Sequence, residues 1–414
     1  MVRDVVTRAG PTTTVALVYA STTVVWTSYA LIAVALPFRF QALGLSVVQY
    51  GIALGVFAFG MLLTESFWGV LAFRIGSLRT ILALGAVVMA LFAAIDLSTS
   101  FITLTVVLGL FGAIVVFPVP LFRWMAMIAG GPGTEGSGTG RYGVFFGGGM
   151  VAGSALGPLL YVALGFGGLT VVVLSVYAGG LALMGVLPWK ETQLPIVERG
   201  SFSLVRRVLT SPFLFAAGLV VVAYVALSLI VNFLQIYSVS SFNGTPAAAG
   251  YVIGLARATL LFAGFALGGT VDRWRPIRTV PFGFLLIALG AFATIFSASY
   301  AEMVGSTLVL ATGIGWLTAG LLPLALETVP TRLQGTAVGV FGSFEDLGLL
   351  VGPVAISLAY ANVGSWSIFV LVGALALVAS LLSVLFRRIG RTPTLRSLGS
   401  GLVLVETVQP EKPR

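Results

Sequence analysis

The sequence contains no cysteine and no histidine, and only 8% of its 414 residues are charged. Disulfide bonds, thiol catalysis, histidine metal sites and a histidine proton switch are therefore excluded. A soluble domain carries about 25% charged residues, whereas this chain is 58% hydrophobic. The composition predicts an integral membrane protein, in which the 52 glycines allow helices to approach closely in lipid.

Apolar windows long enough to cross a bilayer divide the chain into twelve predicted helices. They span residues 13–37, 47–72, 79–97, 101–127, 142–164, 169–189, 212–238, 246–270, 278–298, 302–326, 335–361 and 364–386. We therefore expect an all-α integral membrane fold with two pseudo-symmetric six-helix bundles, at 1–189 and 212–387. A cytoplasmic loop at 190–211 would join them, and 388–414 would form a cytoplasmic tail.

The net charge of +9 comes from Lys and Arg residues that gather on one side of these helices. If the N-terminus is inside, every Lys and Arg except Arg39 and Arg257 falls on the cytoplasmic side. Lys and Arg near helix ends set the orientation of a membrane protein. The pattern predicts cytoplasmic termini in the cell membrane and contacts with anionic lipids rather than with nucleic acid.

The two halves also repeat short motifs. GSALGP at 153–158 recurs 195 residues later as GLLVGP at 348–353. GVLAFRIGSLR at 69–79 recurs 199 residues later as GGTVDRWRPIR at 268–278. Parallel repeats with a site between them at the membrane midplane are typical of secondary transporters.

With these motifs the chain resembles the major facilitator superfamily, whose G-x-x-x-D-R-x-G-R-R motif follows helix 2 and recurs after helix 8. Phe73 stands at the family's Asp position, and Tyr161 stands where the family's antiporter motif has a glycine pair. The resemblance implies twelve helices, alternating access and a gate on the cytoplasmic side. The gate residues it implies are Gly69, Arg74, Gly76, Arg79, Asp272, Arg273, Glu327 and Arg332.

Adjacent acids stand near the middle of predicted helix 11. Glu345 lies about 15 Å along the helix from residue 335, and a charge at that depth costs on the order of 2.5–3.5 kcal/mol. Because neighbouring helix residues point about 100° apart, we expect one of Glu345 and Asp346 to face the central cavity. Either the pair carries protons, or it forms a buried structural tie. Helix 5 has Met150 at the position that matches Glu345.

Arg257 lies at a similar depth in predicted helix 8, so we expect it to pair with Glu345 or Asp346. The pair would be broken by protonation during transport, Arg257 would bind an anionic substrate group, or the pair would be permanent and structural. Glu65 in helix 2 is a second candidate proton site, or a partner of the gate arginines.

Polar and aromatic residues at helical spacing predict the walls of a substrate cavity. In the resembling family, helices 1, 4, 7 and 10 line the pathway. The candidates from helices 1, 7 and 10 are Tyr19, Thr22, Trp26, Tyr29, Tyr224, Ser228, Asn232, Gln235 and Trp316. For any single aromatic residue, packing between helices or anchoring at the membrane interface is the alternative.

The leading hypothesis is a monomeric secondary transporter of a small molecule, without a cofactor or metal. The sequence contains no Walker-type phosphate loop, which argues against ATP-driven pumping. Three embedded acids against one embedded base favour proton antiport, with efflux of a neutral, cationic or lipophilic compound. The alternative is proton-coupled or facilitative import of a sugar or organic anion. An intramembrane enzyme would need two acids from different helices, and a non-transporting sensor is the remaining alternative.

Overall fold

The structure is a computed structural model that describes residues 11–75, 77–115, 117, 135–186, 202–330, 333–389, 396–398 and 401–403. Nearly all of these residues are helical. The first half contains α1 (Pro11–Ala42), α2 (Val47–Ile75), α3 (Ser77–Leu97) and α4 (Phe101–Val115). Two helices follow within Glu135–Gly185, and they meet at Gly165, where the backbone is non-helical with φ 70° and ψ 178°. We name these two helices α5 (135–164) and α6 (166–185).

The second half begins with a short helix, Phe202–Val208. Next comes α7, which runs from Ser211–Ser228 through a π-helical turn, Leu229–Phe233, into Leu234–Phe242. The remaining membrane helices are α8 (Pro246–Trp274), α9 (Pro276–Ile295), α10 (Tyr300–Leu326), α11 (Gln334–Val363) and α12 (Ser367–Ile389). Beyond them, β1 (Arg396–Leu398) and β2 (Gly401–Val403) pair antiparallel.

Nine helices of the described part are long and apolar enough to cross a bilayer. One of these, residues 143–185, is the bent α5–α6 pair, and two shorter apolar stretches lie in α3 and α4. Counting the bent helix twice and adding the shorter two gives twelve crossings. The predicted all-α membrane fold is therefore confirmed. The inner end of predicted helix 4, beyond Phe117, lies outside the described residues.

The repeated glycine motifs hold equivalent helices together in the two halves. Gly153 and Gly157 of α5 lie directly against the backbone of α1. Gly348 and Gly352 of α11 lie in the same way against α7. A side chain at any of these four positions would collide with the facing helix, which gives the repeat its physical reason.

Two helix pairs join the halves, and they are related by the same repeat. α5 packs on α8 with Pro158 against Gly250, and α2 packs on α11 with Gly51 against Pro353. A Cβ atom placed on Gly51 would lie 2.6 Å from the Pro353 carbonyl oxygen. The two prolines differ by 195 in number and the two glycines by 199, which are the offsets of the sequence motifs. The interface between the halves therefore has two pseudo-equivalent sides.

The link between α8 and α9 shows why the first loop motif has a glycine at position 76. Arg275 occupies the position that matches Gly76, 199 residues earlier. Its backbone has φ 71° and ψ 143°, a conformation that glycine adopts easily and other residues adopt at a cost. The second motif therefore has a glycine-like backbone conformation at Arg275, although arginine stands there in place of glycine.

Candidate functional site

Arg257 is held by neutral groups of the opposite half. It lies eleven residues after the start of α8 and is 7% exposed. Its Nη1 donates to Ser154 Oγ at 2.6 Å and to the Met150 carbonyl oxygen at 3.4 Å, both in α5. The Ser154 hydroxyl donates in turn to the Met150 carbonyl oxygen at 2.6 Å. A buried cation needs hydrogen-bond partners, and α5 supplies them.

These contacts differ from the predicted pairing with a helix-11 acid. In the described part of the chain, the hydrogen bonds of Arg257 go to α5 rather than to either carboxylate. The reason is that α8 packs on α5, whereas α11 packs on α2 at the other side of the interface. By the repeat, Ala58 of α2 matches Arg257, and Glu345 of α11 matches Met150. Pairing of Arg257 with Glu345 or Asp346 stays a prediction.

Polar side chains from three further helices lie in the same region of the interface between the halves. Tyr29 of α1 and Tyr50 of α2 lie within electrostatic range of Arg257. Gln235 of α7 lies beside the Tyr50 hydroxyl. We call Arg257, Ser154, Tyr29, Tyr50 and Gln235 the Arg257 cluster. Its members come from both halves.

Tyr50 and Gln235 of this cluster are buried, and among the described residues one polar atom of each makes no hydrogen bond. Tyr50 is 1% exposed and Gln235 is 0% exposed. Within the described residues, neither Tyr50 Oη nor Gln235 Oε1 has a hydrogen-bond partner. Buried polar atoms of this kind are uncommon and call for a functional explanation.

Gln235 reaches this position because of the π-helical turn in α7. The Leu234 N–H bonds to the Leu229 carbonyl, five residues earlier, instead of four. A π turn therefore fits one more residue into a turn than an α-helix does. Residues beyond the turn lie about 100° from where regular α-helical counting places them.

The predicted stripe on helix 7 divides at this turn. Tyr224 and Ser228, before it, face α11. Gln235, after it, lies beside Tyr50 of α2. Asn232, within it, donates from Nδ2 to Ser228 Oγ at 3.1 Å. The extra residue of the π turn shifts the register of Gln235 relative to Tyr224 and Ser228, and the place of these residues in one cavity wall stays a prediction.

The stripe on helix 1 lies largely against α5. The Tyr19 ring stacks on Phe145 with centroids 4.6 Å apart, and Trp26 meets Phe146 edge-on at 4.6 Å. Thr22 is buried and donates to the carbonyl four residues earlier in its own helix, at 2.8 Å. The Trp26 Nε1–H is buried without an acceptor among the described residues. These ring contacts give α1 an aromatic wall.

The helix-11 acids face different neighbours, as their spacing predicts. Glu345 lines a cavity of about 10 Å³ between α7, α10 and α11, together with Tyr224 and Thr318. That volume is near the minimum that holds one water molecule. Asp346 is only 5% exposed and lies one helical turn before Leu350, which faces α2. The two carboxyl groups therefore occupy different environments.

A cavity of about 190 Å³ opens between the halves at the predicted outer end. Gln41 and Tyr50 line it from the first half, and Ser240 and Tyr360 line it from the second. The Tyr360 hydroxyl donates to Ser240 Oγ at 3.3 Å. Tyr50 therefore belongs both to the lining of this cavity and to the Arg257 cluster.

Trp316 contacts helices at the junction of α8, α9 and α10. Its Nε1 donates to Thr270 Oγ1 at 3.0 Å, and its ring stacks on Phe282 with centroids 6.3 Å apart. Half of the Phe282 side chain is exposed. The structure does not bring Trp316 together with the Arg257 cluster through these contacts, and its place in a substrate cavity stays a prediction.

The predicted gate residues are described only in part. Arg273 and Glu327 are at the surface, and Gly69 belongs to α2. The side chains of Glu65, Arg74, Arg79 and Asp272, and all of Gly76 and Arg332, lie outside the described residues.

Sequence reasoning missed three members of the site: Ser154, Met150 and Tyr50. Ser154 carried a usable signal, because it is the polar residue inside the repeated glycine motif at 153–158. Met150 contributes a backbone carbonyl, which no side-chain pattern reveals. Tyr50 stands near the start of α2 without a periodic polar stripe around it.

Comparison with known proteins gives the same fold. The family model described as Major Facilitator Superfamily matches residues 18–353 and 219–409. The Uncharacterized MFS-type transporter MJ1560 of Methanocaldococcus jannaschii is 23% identical over 123 residues, which are 30% of this chain and 31% of that protein. The Riboflavin transporter RibZ of Clostridioides difficile is 28% identical over 137 residues, 31% of this chain and 27% of that protein. These alignments therefore span less than a third of each relative.

The likeness to solved structures extends over nearly the whole chain. The crystal structure of nucleoside transporter NupG superimposes with a TM-score of 0.75, covering 91% of this chain and 99% of that one. The two sequences are 11% identical, so the likeness concerns the fold.

Proposed function

This chain belongs to the major facilitator superfamily, and on that premise we propose that it is a proton-coupled secondary transporter that binds its small-molecule substrate at Arg257. The observation that carries the proposal is a buried cation between the halves that is held by neutral partners. Alternating access would expose the Arg257 cluster first to one side of the membrane and then to the other.

Arg257 retains hydrogen-bonding capacity for a substrate. Its hydrogen bonds to α5 in the described part of the chain all leave from Nη1. Nε and Nη2 are further donors, and a guanidinium binds carboxylate or phosphate groups through two parallel N–H donors. The neutral surroundings favour an anionic or strongly accepting substrate group, because such a group would compensate the buried charge.

Proton coupling would act through the carboxyl groups of α11. Glu345 borders a cavity with room for one water molecule, and two hydroxyl-bearing side chains share that cavity. A carboxyl group in such a position can exchange a proton through a bound water as the helices move. Glu345 is therefore the proposed proton carrier, and Asp346, buried on the side toward α2, is the second acid of the pair.

Two transport directions follow from different residues. The excess of embedded acids, Glu65, Glu345 and Asp346, favours proton antiport and efflux of a neutral, cationic or lipophilic compound. The availability of Arg257 favours a second candidate, the import of an organic anion or sugar. We further propose that the protein is a monomer in the cell membrane, with both termini in the cytoplasm. Its two helix bundles would span 1–189 and 212–387, joined by a loop at 190–211 and followed by a tail at 388–414.

Transport into proteoliposomes tests the proposal. The full chain would be reconstituted with an imposed pH gradient, and ethidium and N-acetyl-phenylalanine would serve as cationic and anionic probes. We expect the gradient to drive one probe, and the double variant Glu345→Gln, Asp346→Asn to lose the effect of the gradient while retaining exchange. Glu302→Gln, at an exposed outer helix end, is the matched control.

Two results would contradict parts of the proposal. If the gradient drives neither probe and the double variant transports as the wild type does, proton coupling is refuted. If Arg257→Met binds and transports the anionic probe with unchanged affinity, the role of Arg257 in binding is refuted.

A further inference from the structure

Gln235 and Tyr50 form a buried polar pair with unused hydrogen-bonding capacity. Gln235 is fully buried, and Tyr50 is 1% exposed. Leaving a buried donor or acceptor unsatisfied costs about 1–3 kcal/mol. The two side chains lie next to each other, but without a hydrogen bond of normal geometry between Tyr50 Oη and Gln235 Oε1. The fold keeps both polar groups at this position despite that cost.

Tyr50 relates the pair to the proposed binding group, Arg257. Tyr50 lies within electrostatic range of Arg257 and of Tyr29. Its ring is fixed edge-on against Phe40 at 5.1 Å and against Phe233 at 5.7 Å. A molecule whose anionic group rests on Arg257 and that extends toward α2 and α7 would meet Tyr50 and Gln235.

The chemistry of the pair restricts what that next group can be. Gln235 Oε1 only accepts hydrogen bonds, whereas the Tyr50 hydroxyl can donate one. The hydrogen bond of Gln235 Nε2 to the Asn232 carbonyl oxygen is 3.4 Å long and can be exchanged for a better one. An acceptor beside a donor is complementary to a group that presents an N–H beside a C=O.

We propose that the substrate carries an amide-type N–H/C=O group next to its anionic group, and that Gln235 accepts from this N–H while Tyr50 donates to this carbonyl. The inference rests on the proposed function, because it assigns Arg257 to the anionic group. It makes Gln235 and Tyr50 the residues that determine specificity. Acylated amino acids and heteroaromatic lactam carboxylates share this chemistry.

Matched probes that differ only in the N–H group test the proposal. The probes are N-acetyl-phenylalanine against its ester analogue O-acetyl-phenyllactate, and orotate against 1,3-dimethylorotate. Binding to the purified full chain in lipid nanodiscs would be measured from the concentration dependence of the thermal unfolding temperature. A site built around a hydrogen bond to N–H rejects the analogue that lacks it by large factors. We expect a preference of about tenfold or more for the N–H member of at least one pair. The pair that shows this preference identifies which of the two chemical classes the substrate belongs to.

Variants assign that preference to particular side chains. Gln235→Met keeps the length of the side chain and removes its amide, so the preference should disappear. Gln235→Glu keeps an acceptor and controls for misfolding of the methionine variant. Tyr50→Phe should weaken both members of a pair equally, because it removes the hydroxyl that meets the carbonyl they share.

The outcomes separate this inference from the proposed function. If both members of each pair bind equally, and Arg257→Met abolishes their binding, the inference is overturned and the role of Arg257 stands. If no probe binds the wild type, or if Gln235→Met retains the preference, the inference is also overturned. If Arg257→Met leaves all binding unchanged, the proposed function fails first.

Discussion

Arg257 of α8 and Ser154 of α5 are joined by a hydrogen bond of 2.6 Å that crosses between the two halves of the bundle. We expect Ser154→Ala to reduce the free energy of unfolding by about 1–2 kcal/mol, because a hydrogen bond to a buried charge is lost. Affinity for an anionic probe should also change, since the guanidinium loses its shortest hydrogen bond to α5.

The measurement is thermal unfolding together with probe binding. Ser175→Ala is the matched control, because Ser175 donates to a carbonyl of its own helix, at 2.9 Å, in an exposed position. If both variants changed unfolding and probe binding equally, the Arg257–Ser154 hydrogen bond would make no specific contribution to stability or affinity.

Gly51 sets the distance between α2 and α11. A Cβ atom there would collide with the Ser357 side chain and lie 2.6 Å from the Pro353 carbonyl oxygen. We expect Gly51→Ala to destabilise the protein by about 1–3 kcal/mol, as overpacking does. Gly218→Ala in α7 is the control, because a Cβ atom added at Gly218 would have open space within 4 Å among the described residues. Unfolding temperatures that fall equally in both variants would contradict this assignment.

A substitution at Arg275 should stabilise the protein rather than destabilise it. Its φ of 71° is unfavourable for a residue with a Cβ atom, and the matching position of the first half is Gly76. We expect Arg275→Gly to raise the free energy of unfolding by about 1 kcal/mol. Arg275→Ala removes the same charge and keeps the strain, so a gain of equal size in that variant would attribute the effect to charge.

Arg39 links the ends of three helices in the first half. Its Nη2 donates to the Asp96 carbonyl oxygen at 2.7 Å and to the Ser98 carbonyl oxygen at 3.3 Å, and its guanidinium lies 5.3 Å from the Phe166 ring centroid. We expect Arg39→Met to cost about 2 kcal/mol in unfolding free energy. Arg39→Lys should recover little of it, because lysine lacks the planar fork.

Arg39 lies outside the Arg257 cluster, so its variants should keep the wild-type affinity for transport probes. A change in affinity without a change in unfolding temperature would contradict a purely structural role for Arg39.

The sequence predicts the helices and their repeat well, because hydropathy and glycine spacing act locally. Gly153 and Gly348 were identifiable as packing positions from the shared motif alone, and the structure places both against the matching helix. The bend at Gly165 was foreseeable only as a break between two helices. The structure separates α5 from α6 at Gly165, whose φ of 70° and ψ of 178° are non-helical.

The site was harder to predict, because it depends on which helices become neighbours. Charge balance predicts an acid as a partner of Arg257, and the packing of α8 on α5 adds Ser154, which charge balance does not reveal. The repeat offsets held the missing information, since Arg257 matches Ala58 and Glu345 matches Met150. Applied to helix pairs rather than to motifs, those offsets match the α5–α8 pair with the α11–α2 pair.

The wide turn at Leu229–Phe233 makes helix 7 adjustable without moving its ends. This helix contains one residue more than an α-helix of its length requires, and the surplus sits in a single turn. If that surplus passes along the helix by one exchange of backbone hydrogen bonds, only the residue it crosses rotates, by about 100°. Asn232 lies inside this turn and Gln235 lies just after it, so a shift that passes either residue would rotate its side chain, while the contact of Tyr237 with Phe369 of α12 fixes the helix beyond the turn.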